Sequence, residues 1–297
     1  MSNFDDLLTT VPNENEQSTA PEYDKAKYAE NKKNEREEVF ALSDQTSLRV
    51  VADSKPFEEF LALQARFDRY SAINALLIYA QKPEATKIAD FDYWRDQGCY
   101  IKADEKAFSI IEPGNEYKRN DGSIGVSFNV KKVFDISQLN TNKIKEVEEP
   151  SLTERQILKA LINKAPALIN GVDELPYNVG AQYVEEENTI CVRKGMEFSD
   201  IFRSIAQELA LCSLTNRSDS HQFNPGFLAY CVSYQLCKKY GVDTKDFNFD
   251  GVSNVFSDMD ATGIKKELSI VRDIAEEITG RMERELRPRT PKNQDAR

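Results

Sequence analysis

The feature that most constrains the fold is a change in hydrophobic periodicity along the chain. Apolar residues recur every three or four positions from Phe57 to Ala80, which is the pattern of amphipathic helices. Residues 100–101, 108–111 and 126–133 are instead short β-type runs, and Asn120-Asp121-Gly122 is a turn signal between two of them. Together these patterns predict a compact α+β domain over residues 55–137.

The second half of the chain has a mainly helical pattern. Ser199 is a good N-cap for a helix that reaches about Thr215. Asn224-Pro225 opens another helix, which Gly241 closes, and a last helix runs from about residue 263 to 286. The polar, Glu/Lys-rich residues 138–150 are typical of a linker. We therefore predict a helix-rich domain over residues 151–287 and a flexible tail over residues 288–297.

The N-terminal segment is polar and acidic. Residues 1–54 carry 6 basic and 12 acidic side chains and few large apolar ones. Such a composition offers little burial to compensate the entropy of ordering, so we predict a disordered acidic arm over residues 1–50. No run of about 18 apolar residues is present, which predicts neither a transmembrane helix nor a membrane partner. The N-terminus also lacks the basic and apolar regions of a signal peptide, so we expect a cytoplasmic protein.

Residues 188–211 carry the pattern of an active-site helix. A predicted strand, a short loop and a capped helix lead to Gln207-Glu208-Leu209-Ala210-Leu211. This arrangement resembles the HExxH helix of zincin metallopeptidases, in which two histidines on one helical face bind zinc and the glutamate between them activates a water. Here Gln207 and Leu211 stand at the histidine positions, and Glu208 keeps the general-base position.

This helix and the next one resemble the SprT-like metallopeptidase half of ArdC-type antirestriction proteins of conjugative elements. Residues 229–243, AYCVSYQLCKKYGVD, are similar to that family's AESVAYxVCxxFGxD helix. The resemblance places Tyr230 where the family has its third metal ligand, a glutamate. An amide, a hydrocarbon and a phenol make a poor zinc site. We therefore expect a degenerate site at Gln207, Glu208, Leu211 and Tyr230, with no metal, no cofactor and no catalytic residue, and we expect His221 to be a loop residue.

A second resemblance covers residues 61–138. LALQARFDRYSAINALLIYAQKP, Trp94, GCYIKADEKA and FNVKKVFDISQ follow one another in the order found in the N-terminal domain of ArdC-type proteins. The resemblance implies single-stranded DNA binding, which is associated with that domain. One departure is the family's basic turn RKGEKG, which here reads Lys102-Ala-Asp-Glu-Lys106-Ala and carries fewer positive charges and no glycine.

Sequence-tolerant binding of a single strand needs cations along a groove and aromatic faces on which bases stack. Residues 55–135 carry 12 basic and 13 acidic side chains, so this segment is nearly neutral in a chain of net charge −11. Trp94 and Asn74 are also compatible with a place in the core, and Lys131-Lys132 with a solvated pair on a strand. The candidate DNA-binding residues are Arg66, Arg69, Tyr70, Asn74, Trp94, Lys102, Lys106, Lys118, Arg119, Lys131 and Lys132.

The predicted fold class is therefore α+β with two domains, a small single-stranded-DNA-binding-like domain and a helix-rich zincin-like domain, behind a disordered arm. The expected function is that of a single-stranded DNA-binding protein of a bacterial mobile element, of the antirestriction or strand-protection type, with a catalytically inactive metallopeptidase-like domain. The alternative is a protein-interaction adaptor that uses the metal-free zincin cleft or the N-terminal arm. A protein of the conjugation or restriction machinery is a further candidate partner.

Overall fold

The structure is a computed structural model that describes residues 25–119, 121–140, 151–217 and 224–287. Within these ranges it is an α+β protein, which confirms the predicted fold class, and none of the described helices is long and apolar enough to span a membrane. The elements in chain order are α1 (Lys25–Val50), α2 (Ser54–Arg66), α3 (Ala72–Gln81), β1 (Ile88–Ala89), α4 (Phe91–Asp96), β2 (Tyr100–Ile101), β3 (Phe108–Lys118), β4 (Ile124–Asp135), β5 (Leu139–Asn140), α5 (Glu154–Ile162), β6 (Leu168–Val172), β7 (Ala181–Val184), β8 (Thr189–Arg193), α6 (Phe198–Thr215), α7 (Pro225–Tyr240), α8 (Val252–Val255) and α9 (Ala261–Leu286).

Helix α1 shows that the prediction of a disordered arm is wrong for residues 25–50. Val39 packs with Leu77 and Ile111 in a small apolar cluster, and Val50 is fully buried in the main core. The same face buries three hydroxyl side chains, which bond to carbonyls of the helix itself and so need no outside partner: Ser43, Thr46 and Ser47. Because these short residues are polar, the hydrophobic pattern of the sequence does not show that this face of the helix is buried. The rest of the predicted arm, residues 1–24, lies outside the described residues, as do residues 141–150 of the predicted linker and the tail 288–297.

The main sheet is built on a long hairpin. Strands β3 and β4 pair antiparallel from Phe108↔Val133 to Lys118↔Ile124, with a register shift between Pro113 and Glu116. β1 adds to the other side of β4, so the strand order is β1-β4-β3. The residues of β3 are buried near the base of the hairpin and exposed near its tip, and so the tip projects from the core.

Helix α3 is joined to the open edge of β3 by two side-chain amides. The Asn74 amide donates to the Ile111 carbonyl at 2.8 Å and accepts from the Ile111 N–H at 2.9 Å. One step along the strand edge, the Gln81 amide makes the same pair of bonds with Ser109, at 2.8 and 2.9 Å. The two side chains lie seven residues apart on one helical face and take the place of a neighbouring strand.

A second sheet lies in the later half of the chain, in the order β6-β8-β7. β6 is parallel to β8 and β7 is antiparallel to it. Helix α6 packs against β7 and β8 and against α7. The predicted active-site helix is therefore framed by an edge strand and a neighbouring helix.

One apolar core joins the two predicted domains. Phe57 on α2 packs against three rings of the later half, Phe227, Phe249 and Phe256, at centroid distances of 5.9, 5.4 and 6.0 Å. The Tyr234 hydroxyl on α7 donates to Glu58 on α2 at 3.0 Å. The segments on either side of residues 138–150 thus share a core within the described part of the chain.

Candidate functional site

The tip of the β3–β4 hairpin presents an aromatic ring and two cations to solvent. Tyr117 is 50% exposed, and Lys118 and Arg119 are also exposed. Gly125 opposite them leaves the space that both neighbours use: a Cβ atom there would lie 2.7 Å from Tyr117 Cζ and 3.0 Å from Arg119 Nε. The Arg119 backbone N–H donates to the Ser123 carbonyl at 2.8 Å, which closes the turn. The tip therefore carries a stacking surface beside two positive charges.

The cations nearer the base of the hairpin are already engaged by acids. Lys131 lies 2.9 Å from Asp90 and 3.4 Å from Glu112, and Lys132 lies 2.9 Å from Glu35 on α1. The Asp90 hydrogen bond raises the pKa of Lys131 above its ordinary value, so the ammonium stays charged but is locally neutralised. These two lysines offer less to a phosphate than their sequence position suggests.

Lys102 and Lys106 border the short strands beside the sheet. Both residues are exposed. Lys102 Nζ donates to the Ser137 carbonyl at 2.8 Å, and the Lys102 backbone N–H donates to the Gln138 carbonyl at 2.9 Å. The Lys106 carbonyl accepts from the Gln138 amide at 2.9 Å. This segment is thus held by its backbone and leaves the Lys106 ammonium facing solvent.

Arg66 and Arg69 turn towards the later half of the chain. Arg66 is exposed, donates to the Ala85 carbonyl and shares a depression with Lys238 and Lys239 of α7. The Arg69 side chain is 77% exposed and lies 3.7 Å from Glu283 of α9. Arg66 therefore lies beside α7, and Arg69 lies beside α9.

Trp94 is a core residue, and its prediction as a stacking platform is wrong. Its side chain is 1% exposed, and its indole N–H donates to the Phe134 carbonyl at 3.0 Å. Cys99 and Leu139 enclose it in a small apolar cluster. A base has no access to a ring buried in this way. The side-chain amide of Asn74 is also occupied, because its NH2 group and its oxygen both form hydrogen bonds with the backbone of Ile111.

Tyr93, next to Trp94, is an exposed aromatic residue that was not predicted from the sequence. It is 43% exposed and lines an open pocket of about 480 Å³ together with Tyr70, Asn74 and Lys131. The pocket brings these three predicted residues together. The exposure of Tyr93 could have been predicted from helical geometry. Adjacent side chains on a helix point about 100° apart, so when Trp94 faces the core, Tyr93 points away from it.

The four residues of the predicted degenerate site lie on α6 and α7. Glu208 Oε2 accepts the Tyr183 backbone N–H at 2.8 Å, which ties α6 to the edge strand β7. Burial raises the pKa of the Glu208 carboxyl above its ordinary value, and the bond from Tyr183 partly offsets this. Gln207 is half-buried, and Leu211 packs partly buried against the core. Glu208 thus has a structural partner at the position that the resemblance assigns to a general base.

Tyr230 has become part of an aromatic cluster. Its ring lies 4.8 Å from Phe247 and 5.4 Å from Phe249, and its hydroxyl accepts the Asn248 N–H at 2.8 Å. With a hydrocarbon at Leu211 and an engaged phenol at Tyr230, the residues present do not fit a zinc ion. Within the described ranges, no group of three or more His, Cys, Asp and Glu residues could hold a metal; His221 lies outside those ranges.

One segment of the chain matches a known protein family. Residues 46–161 match the family model described as the N-terminal domain of anti-restriction factor ArdC, a range that begins within α1 and ends in α5. Two crystal structures of the antirestriction ArdC protein from R388 plasmid are similar to the chain at 15% identity and a TM-score of 0.48. The metal-free structure covers 72% of this chain and the Mn(II)-bound structure 74%, each with 86% of the ArdC chain. No curated protein sequence matches the chain. The family match confirms the resemblance seen in residues 61–138: residues 46–161 of this chain form an ArdC-type N-terminal domain.

Proposed function

We propose that this protein is an antirestriction factor of a plasmid or other mobile element that binds single-stranded DNA through the hairpin side of its ArdC-type domain. The observation that carries the proposal is the match of residues 46–161 to the ArdC N-terminal domain. The later half, in this proposal, is a metallopeptidase-like scaffold without catalytic activity.

The hairpin tip supports the DNA part of the proposal. Tyr117 offers a ring face, and Lys118 and Arg119 offer charge on a tip that projects from the core. Base stacking on an aromatic side chain contributes about 1–3 kcal/mol per base and tolerates any sequence. A projecting tip of this composition can follow a flexible single strand, whose bases are free to stack.

The ion pairs at Lys131 and Lys132 lead us to expect weak, salt-sensitive binding. If Lys102, Lys106, Lys118 and Arg119 each neutralise one phosphate, log K falls with log salt with a slope of about −3. Fluorescence anisotropy of a labelled oligonucleotide between about 50 and 200 mM salt measures that slope. A protein that does not bind at the low-salt end would refute the DNA proposal.

A charge reversal at the tip tests where the strand lies. The double variant Lys118→Glu with Arg119→Glu should weaken binding at least tenfold, because two attractive charges become repulsive. The matched control is Lys55→Glu with Lys266→Glu, which changes the net charge equally at exposed positions outside the hairpin. Equal loss in both double variants would mean that only net charge matters and that the tip is not the site.

The absence of catalysis in the later half is a separate proposal with its own test. It is supported by the contacts of Glu208 with β7 and of Tyr230 with Asn248, which occupy two of the positions that the resemblance assigns to chemistry. Elemental analysis of the purified protein should find zinc and manganese well below one equivalent. A stoichiometric metal that chelators remove only slowly would overturn it.

The adaptor function remains the second candidate, because the same hairpin also exposes an apolar strip. Ile124, Val126 and Phe128 occupy alternate positions of β4 and are 68, 41 and 38% exposed. A protein partner would use this strip, and charge reversal at Lys118 and Arg119 would then leave the binding of that partner unchanged. Deleting residues 1–24 tests the N-terminal arm without cutting into α1.

A further inference from the structure

The pocket lined by Tyr70 and Tyr93, here called the tyrosine pocket, lies beside the sheet of the ArdC-type domain. It lies between the start of α3, the segment that joins β1 to α4, and the strands β3 and β4. Ile110 and Val133 form part of its wall, and its charged members are Lys87, Asp90, Glu112 and Lys131. Its volume of about 480 Å³ has room for a planar heterocycle with its sugar.

The charges of the tyrosine pocket nearly cancel. Lys131 lies between Asp90 at 2.9 Å and Glu112 at 3.4 Å, and Lys87 is the second cation of the lining. A phosphate entering here would meet two carboxylates and gain little. A neutral ring with polar edges meets no such repulsion, and each edge finds donors and acceptors in the wall. The electrostatics therefore favour a nucleobase over a phosphate.

The two tyrosines are held in place before any ligand arrives. The Tyr93 ring contacts the buried Trp94 edge-on, with centroids 5.2 Å apart and planes at 76°. The Tyr70 ring is half-buried and contacts Phe67 edge-on at 5.7 Å. Because Trp94 and Phe67 belong to the packed interior, both tyrosines lose little conformational freedom when a base stacks on them.

The chemistry of the lining also favours one kind of base edge. Glu112 and Asp90 are acceptors, and in protein–DNA contacts such carboxylates accept from the exocyclic amine of cytosine. Adenine and guanine carry such an amine as well, whereas thymine does not. The Tyr70 phenol adds a hydroxyl donor to the wall, and burial raises its pKa above its ordinary value of 10.0.

We propose that the tyrosine pocket receives one unpaired nucleobase of the bound strand, stacked on Tyr93, and that it prefers a base with an exocyclic amine. This inference rests on the proposed single-stranded DNA binding and adds to it a base-specific subsite. The strand would then place one base in the pocket, while its phosphates lie outside it against the exposed cations Lys102, Lys106, Lys118 and Arg119.

The test uses the full-length protein and a short oligothymidylate that carries one central 2-aminopurine, an adenine analogue whose fluorescence is quenched by stacking. Wild type should quench the probe. Tyr93→Ala should abolish the quenching and weaken affinity about 5- to 150-fold, the equivalent of about 1–3 kcal/mol per stacked base. Tyr93→Phe, which keeps the ring, should bind within about twofold of wild type, well inside the tenfold that 1.4 kcal/mol represents.

Tyr177→Ala is the matched control, because Tyr177 is 98% exposed and lies outside the pocket. The base preference has its own pair of probes, an all-thymidine strand and the same strand with one central cytosine. Wild type should prefer the cytosine strand by about fivefold or more, and Glu112→Gln should reduce that preference. The fluorescence of buried Trp94 reports whether each variant is folded.

The outcomes separate this inference from the function on which it rests. If wild type binds DNA but Tyr93→Ala binds and quenches as well as wild type, the pocket is not a base site and the DNA proposal stands. If wild type binds neither probe at low salt, both fall. Equal affinity for the thymidine and cytosine strands would overturn the preference for an exocyclic amine.

Discussion

Substitution of Asn74 distinguishes a structural role from a DNA-binding role, because the two roles predict different effects on stability and on DNA affinity. Replacing it by alanine removes both hydrogen bonds to Ile111, at 2.8 and 2.9 Å, and leaves the N–H and C=O of Ile111 without partners. Asn74 is 8% exposed, so water has little access to replace the amide. Each lost bond costs about 0.5–1.5 kcal/mol net, and a buried unpaired group costs more. We expect Asn74→Ala to lower the free energy of unfolding by about 2–4 kcal/mol.

Gln81 supplies the internal control. Its amide makes the same two bonds to Ser109, but Gln81 is exposed, so water can take over both bonds. Gln81→Ala should therefore cost about 1 kcal/mol or less. The ratio between the two substitutions measures burial, because the hydrogen-bond geometry is matched.

Asn74→Asp tests the donor half of the pair through pH. An ionised aspartate still accepts from the Ile111 N–H, but it faces the Ile111 carbonyl without a hydrogen to donate. A protonated aspartic acid can make both bonds. The pKa of this carboxyl should therefore be raised in the folded state, and the stability it contributes should be present at low pH and lost as the pH rises through that pKa. The variant should approach wild type in acid and fall furthest behind it above neutrality.

The assay is urea unfolding followed by the fluorescence of Trp94, the single tryptophan, which is buried and bonded to Phe134 on β4. Anisotropy titrations on the same samples measure DNA affinity. The structural argument predicts a large loss of stability and, in the fraction that remains folded, unchanged affinity. A loss of stability under about 0.5 kcal/mol, which is typical of neutral surface changes, together with weakened DNA binding would refute it.

Three further substitutions or deletions follow from the contacts. Glu208→Gln keeps an acceptor for the Tyr183 N–H and removes the cost of a buried charge. Because the pKa of the Glu208 carboxyl is raised, the variant should be more stable than wild type at pH 7.5 and should show no advantage in acid. Urea unfolding midpoints at the two pH values measure this difference. Asp135 is buried and accepts from the N–H groups of Thr86, Lys87 and Ser137; desolvation raises its pKa, but these bonds outweigh it and the net shift is downward. Its stabilisation is therefore lost as the pH falls through the lowered pKa, and Asp135→Asn should cost about 2–4 kcal/mol at pH 7 with a flatter acid limb. Deleting residues 1–45 should cost several kcal/mol in thermal or urea unfolding, because it uncovers Leu77 and Ile111, whereas deleting residues 1–24 removes none of the described contacts.

The helices of the later half were readable from local signals. The predicted end near Thr215 agrees with α6, and Gly241, at φ 69°, ends α7 as predicted. The start of α6 differs by two residues, because Glu197 occupies the N-cap where Ser199 was expected. Such signals work because capping depends on the few residues at each helix end and on little else.

Buried faces made of small polar residues were not readable. Helix α1 buries Ser43, Thr46 and Ser47, which a hydrophobic pattern counts as solvent-facing. These side chains are buried because α1 packs against α3 and α9, and the sequence of α1 alone does not show those neighbours. The same limit applies to Trp94, whose burial depends on Leu139, far away in sequence.

The pairing of charges was equally out of reach. Lys131 and Asp90 are 41 residues apart, and Lys132 and Glu35 are 97 apart, so no local rule connects them. The balance of 12 basic and 13 acidic residues over 55–135 did indicate that neutralisation was to be expected, but not which cations would stay free. Free charge is a property of the fold: at the hairpin tip the Asp121 carboxylate accepts from the Ser123 N–H and hydroxyl, and Lys118 and Arg119 form no ion pair within the described residues.

The aromatic cluster at Tyr230 connects the degenerate site to the ArdC-type domain. Tyr230 contacts Phe249 at 5.4 Å, and Phe249 contacts Phe57 of α2 at the same distance. A glutamate at position 230, as in the family pattern, would place a carboxylate beside these rings and would need a metal or another cation to offset its desolvation. Tyrosine needs neither, since its ring packs and its hydroxyl finds the Asn248 N–H. The side chain that disfavours a metal therefore also strengthens the packing between the two halves of the chain, and Tyr230→Glu should loosen that packing unless a cation is supplied.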